Sequence, residues 1–176
     1  VQSPNSIVGF AENGFAEKLK FKNKLTSAFG YFLTAFLIIF TRIIMATHAS
    51  GAFEVKLAPQ TLSDTSADAL LGRLSIDKTF HGDLTATSKG EMLSAGTSVK
   101  GSAGYVAIEK VSGSLHGRTG TFVLMHVGIL NRGESYLNIT VVPDSGTGAL
   151  ERLSGTMNII NDAGKHSYTF DYTLEG

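Results

Sequence analysis

The chain contains no cysteine, which excludes disulfides, thiolate catalysis and cysteine-ligated zinc or iron–sulfur centres and leaves the redox compartment open. It has no tryptophan either, so aromatic stacking falls to Tyr and Phe. Three prolines stand against twenty glycines, a balance that speaks for tight turns and bulges rather than a proline-rich linker. Charge is scarce: 17% of residues are charged and 43% hydrophobic, proportions of a globular domain and not of a disordered chain. After residue 50 no stretch keeps a 3.6-residue apolar period over three turns, which argues against crossover helices and a parallel sheet. The 176 residues suffice for one domain with a real core and are too few for two ordinary ones.

Net charge is zero but unevenly placed. Residues 1–44 carry five basic and two acidic side chains, net +3, and the remainder ten basic and thirteen acidic, net −3. A mildly acidic domain lacks the broad basic footprint of a nucleic-acid binder, and that class is set aside.

The chain divides into an N-terminal extension, residues 1–44, and a β domain, residues 45–176. In the extension a basic stretch from Lys18 to Lys24 precedes an apolar run of about 13 residues, Ala28 to Phe40, in the range of a signal-peptide core and short of the roughly 20 that span a bilayer. Three readings stay open. Translation starts at Met45, which implies a cytoplasmic protein; or residues 1–49 act as a signal peptide, which implies export; or residues 28–44 are retained as a membrane anchor, with Arg42 snorkelling at its end.

From residue 51 the pattern changes to short alternating runs punctuated by Gly, Asn, Asp and Ser, the mark of strands joined by tight turns. Eight strands are predicted: 51–59, 69–80, 82–95, 102–115, 118–130, 134–143, 153–161 and 165–175. In the last of them His166, Tyr168, Phe170, Tyr172 and Leu174 alternate with polar residues, so one face is apolar. His81-Gly82-Asp83, His116-Gly117-Arg118, Asn131-Arg132-Gly133 and Asn161–Gly164 supply turns. One long connection, 143–154, has room for a single helical turn at Ala149–Leu153. Hairpin-linked strands leave edges that closure removes, so the predicted fold is all-β: a single closed eight-stranded antiparallel barrel, with a two-sheet sandwich as the alternative. Strand 118–130 is apolar on both faces: Phe122, Leu124 and His126 on one, Val123, Met125 and Val127 on the other. One face packs inside the barrel and the other needs cover, for which a second subunit is the simplest source. A homo-oligomer is expected.

Four phrases are more specific than a generic barrel: GSAGYVAIEKVSGSLHGRTGTFVLMHVG (101–128), TSKGEML (87–93), VVPDSGTGALERLSG (141–155) and HSYTFDYTLEG (166–176). They resemble the bacterial domain-of-unknown-function family 3224. The resemblance covers the chain after residue 50 and implies an eight-stranded barrel similar to that of plant allene oxide cyclases. It does not imply their reaction, because one barrel hosts unrelated functions.

Glu109 and His126 are the first candidates for chemistry. Each sits amid apolar strand residues, and a hairpin turning at His116-Gly117 brings their strands side by side. Such a pair can serve acid–base work or orient a ligand; alternatively Glu109 is exposed at a strand end and His126 makes one core hydrogen bond. Tyr105 shares the face of Glu109 by the period of two. Glu91 and Arg118 are further pocket candidates, Glu91 beside a bulge and Arg118 at a turn. His48, His81, His116, His126 and His166 show no close metal-ligand spacing, Gly146-Thr147-Gly148 lacks the lysine and helix of a phosphate loop, and neither metal nor cofactor is expected. Three functions remain: a module holding a small apolar molecule in the barrel, an isomerase or cyclase using the same pocket, and a structural homo-oligomer with a filled core.

Overall fold

The computed structural model describes residues 46–63 and 70–175, all within a unit spanning Ile44–Gly176. The expectations for residues 1–44 lie outside the described residues. The elements are β1 (Thr47–Pro59), β2 (Leu71–Phe80), β3 (Leu84–Gly96), β4 (Ala103–Leu115), β5 (Arg118–Asn131), β6 (Glu134–Val141), a 3-10 turn (Gly148–Leu150), β7 (Leu153–Asp162) and β8 (Lys165–Leu174). They form a closed antiparallel barrel in sequence order. The barrel is the predicted one, and the helical turn in the long connection is present but shorter than expected.

The largest departure is at β1, which begins at Thr47 rather than at 51. Its first residues pair with the last strand, Thr47 with Tyr172 through Phe53 with His166. Small and polar residues carry little strand signal by themselves; here the pairing partner makes the strand. A second departure is the connection from Gln60 to Leu70, as long as the one between β6 and β7.

Three two-residue hairpins hold the register: His116-Gly117, Arg132-Gly133 and Ala163-Gly164, each with both residues at positive φ. That backbone matches the twist of the flanking strands, and glycine takes the second position without steric cost.

The two ends of the barrel differ. At the end holding the His116-Gly117 turn the interior is packed: Phe80, Leu84, Leu115, Phe122, Leu153, Phe170 and Tyr172 are buried, and Leu150 of the 3-10 turn is driven into them as a plug. Phe122 stacks on Phe170 at 5.9 Å, and Phe170 on Tyr172 at 5.3 Å. The Tyr168 hydroxyl accepts the Leu84 N–H at 2.8 Å and donates to the His81 carbonyl at 3.2 Å, tying the β2–β3 turn to β8. At the opposite end the inward-facing Leu57, Leu130 and Leu137 are exposed. The β6–β7 seam is the loosest join, held by the single pair Thr140–Thr156. The barrel is filled at one end and open at the other.

Candidate functional site

Alternation assigns the inward faces. On β2 the inward residues are Leu74, Ile76, Lys78 and Phe80; on β3 Leu84, Ala86, Ser88 and Gly90; on β4 Tyr105, Ala107, Glu109 and Val111; on β5 Phe122, Leu124, His126 and Gly128. Four polar side chains, Lys78, Ser88, Glu109 and His126, are therefore buried among apolar inward neighbours, and they sit at one level. The register pairs Lys78 with Ser88, Gly90 with Glu109, and Ala107 with His126. Gly90 lacks a side chain opposite Glu109, which lets β3 and β4 run close at that point.

Glu109 is the centre of the cluster and is fully buried. Its Oε1 accepts from Lys78 Nζ at 2.7 Å and from His126 Nε2 at 2.9 Å, and its Oε2 accepts from Ser88 Oγ at 2.6 Å. Because a carboxylate only accepts, His126 carries its proton on Nε2 and, when neutral, its lone pair on Nδ1. The Lys78 ammonium also lies 5.4 Å from the Phe53 ring centroid and 5.8 Å from that of Phe80, in reach of cation–π attraction. No buried side-chain polar atom among the described residues lacks a partner. That is what a low-dielectric interior demands of a charge pair.

Burial by itself pushes the Glu109 carboxyl up. The His126 hydrogen bond, the charge and hydrogen bond of Lys78, and the Ser88 hydroxyl together outweigh it and hold the group at about 2. Glu109 is thus a committed anion at neutral pH and a weak base. Tyr105, one inward position beyond Ala107, is pushed the other way, first by burial and then by the negative charge of Glu109, and stays a phenol. Its ring lies across Gly128, where a Cβ would come within 2.7 Å of Cζ.

Beyond this level the barrel opens into a cleft of about 400 Å³ between β3, β4, β5 and β6. Met92, Ser94, Tyr105, Leu130 and Leu137 line it from the inward register, so the cleft is on the concave side of the wall. Its size is in the range of small-molecule sites, and its lining is mostly apolar.

The structure brings Glu109, His126 and Tyr105 to one interior face, and the exposed alternative for Glu109 is overturned. Glu91 is not part of this site. It points outward from β3 and makes a two-pronged ion pair with Arg73, Nε to Oε2 at 2.8 Å and Nη2 to Oε1 at 2.8 Å. Its odd position on β3 puts it on the face opposite Ser88 and Met92. Arg118 is not part of it either: it opens β5 beside the turn at the packed end, exposed, near enough to Tyr172 for its charge to oppose the upward effect of burial on that phenol. Two members escaped the sequence reading, Lys78 and Ser88. Their signal was present, since Lys78 falls on the apolar parity of Leu74, Ile76 and Phe80.

The family model described as "Protein of unknown function (DUF3224)" matches residues 49–172, a span that contains every strand of the barrel in whole or large part. The chain belongs to the DUF3224 family. A crystal structure of a DUF3224 protein of unknown function from Shewanella oneidensis MR-1 is 51% identical to it, with a TM-score of 0.71, covering 75% of this chain and 99% of that one. No curated protein matches the chain. In this DUF3224 barrel all four members of the buried cluster fall inside the matched span.

Proposed function

We propose that the barrel binds a small, mainly apolar molecule at its open end, with the Lys78–Glu109–His126–Ser88 cluster as the polar floor beneath it. The observation that carries the reading is the apolar concave cleft of about 400 Å³, one side-chain layer from a fully bonded buried charge pair in a barrel whose other end is packed. The isomerase or cyclase alternative has less support. Acid–base work at neutral pH needs a group poised to change protonation, and Glu109 at about 2 is far from it. Titration with the neutral fluorophore Nile red tests the binding reading. Saturable, blue-shifted emission near one dye per chain is expected, weakened about tenfold or more by Leu137→Glu, which puts a charge in the exposed mouth. Equal affinity in that variant would place the dye elsewhere and remove the reading.

We further infer that the outward face of β3–β5 is covered by a second copy of the chain. Leu93, Val106 and Val127 are lateral neighbours there, as are Ile108 and Met125, and Val106 and Ile108 are half exposed. The charges at its edge are already paired within the chain, Arg73 with Glu91 and Lys89 with Asp77, so none there carries an unpartnered charge that would repel a second copy. Sedimentation at micromolar concentration should show a dimer or larger species, and Val106→Lys with Ile108→Lys a folded monomer that retains Nile red binding. A monomeric wild type would end this proposal.

A further inference from the structure

The polar groups that reach the cleft say which class of molecule it takes, an inference that rests on the binding reading above. Lys78, the buried cation of the barrel floor, is already neutralised: its ammonium holds Glu109 Oε1 at 2.7 Å and lies over two phenyl rings. Glu109, the anion of the pair, accepts three hydrogen bonds and has no exposed surface. The layer between this pair and the mouth is uncharged, formed by Leu74, Ile76, Met92, Tyr105 and Ala107. His166, on the inward parity of β8, lies against the Phe53 ring at 5.1 Å. An ionic head entering the cleft would lose its water and find no uncompensated opposite charge, so burial would work against it.

Three side-chain hydroxyls line the cleft: Ser135, exposed at its rim, Ser94, which donates to the Gly72 carbonyl at 3.5 Å, and Tyr105, one inward position from the buried cluster. The Tyr105 hydroxyl makes no hydrogen bond among the described residues, while its ring forms part of the cleft wall. Since no buried polar side-chain atom among the described residues lacks a partner, this hydroxyl is open to solvent, where a ligand oxygen can replace water as its acceptor.

We infer that the cleft takes an uncharged lipophile whose single oxygen, a carbonyl or hydroxyl, accepts a hydrogen bond from Tyr105 Oη, and that it rejects fatty-acid anions and alkylammonium cations. The preference follows from charge balance in the barrel floor and not from shape, so ligands of equal chain length separate the two.

The test is displacement of bound Nile red by decan-2-one, decan-1-ol, decanoate and decylammonium at about pH 8, where both ionic competitors are fully charged in water. The ketone and the alcohol are expected to displace the dye at least about tenfold more effectively than either ion. Tyr105→Phe should weaken the ketone about five- to tenfold, the loss of one buried hydrogen bond, and leave the ions unchanged. Decanoate or decylammonium competing as well as the ketone would overturn the inference. So would bound dye that none of the four displaces, or a ketone indifferent to Tyr105→Phe. In those cases the binding reading stands, whereas the absence of saturable dye binding removes that reading and this inference together.

Discussion

Glu109→Gln is expected to destabilise the protein by about 3–5 kcal/mol, the range seen when one partner of a buried ion pair is removed. The substitution is nearly isosteric, so the loss comes from charge and not from a cavity. It leaves the Lys78 ammonium in a nearly sealed interior, 5% exposed, facing a neutral amide oxygen and two aromatic rings in place of a full opposite charge. Ser88 and His126 lose a charged acceptor at the same time. For a domain of this size the midpoint of thermal unfolding should fall by roughly 10 °C. The double variant Lys78→Met, Glu109→Gln removes the stranded charge and should recover most of the loss, because replacing both partners is far less costly than replacing one. Urea unfolding of the three proteins measures this. A single variant within about 1 kcal/mol of wild type would show that the pair contributes little to holding the barrel.

The same pair sets the acid limb. The Glu109 carboxyl lies at about 2 in the folded protein against an ordinary 4.5. Its contribution, about 3 kcal/mol at full strength, is therefore complete above the unfolded value of 4.5 and is lost as pH falls through the folded value of about 2. In the double variant that portion of the acid limb should be missing.

Gly90→Ala is expected to cost about 3 kcal/mol or more, through backbone collision. A Cβ at Gly90 would stand 2.6 Å from both Cα and Cβ of Glu109 and closer still to the Ile108 carbonyl oxygen. These are main-chain and near-main-chain atoms of the directly paired strand, and no rotamer change relieves them. Strand β4 has to move away, which also draws the Glu109 carboxylate off Ser88 and Lys78. Overpacking in well-packed cores costs about 1–3 kcal/mol when side chains absorb it, and a clash with backbone lies at or beyond the top of that range. Gly96→Ala is the control. It meets nothing within 4 Å and should be neutral or slightly stabilising, since alanine restricts the unfolded chain. Equal effects of the two alanines on urea midpoints would mean that β3 and β4 have slack at the cluster.

Most of the inward and outward assignment was legible because a strand has a period of two and the interior of this barrel is apolar. Phe122, Leu124 and His126 declare one face of β5 without any knowledge of their neighbours. The same rule, applied to β2, reads Lys78 as inward, and applied to β3 it reads Ser88 as inward and Glu91 as outward. A lysine on an apolar parity looks like a strand-end exception until its partner is known. That partner, Glu109, is 31 positions away and two strands across.

By itself the sequence determined the number of strands, nearly all their turns, and which residues of each share a face, since these depend on local backbone preference and on alternation. It also put Glu109, His126 and Tyr105 forward as pocket candidates, with Glu109 exposed at a strand end as the alternative. Only the tertiary structure decided that the barrel closes through β1 and β8, that one end is plugged by Leu150 while the other is open, and that Lys78 and Ser88 meet Glu109. The physical reason is register. Which residues face each other across a wall of tilted strands depends on the stagger accumulated around the whole closed sheet, a property that no single stretch of the chain contains.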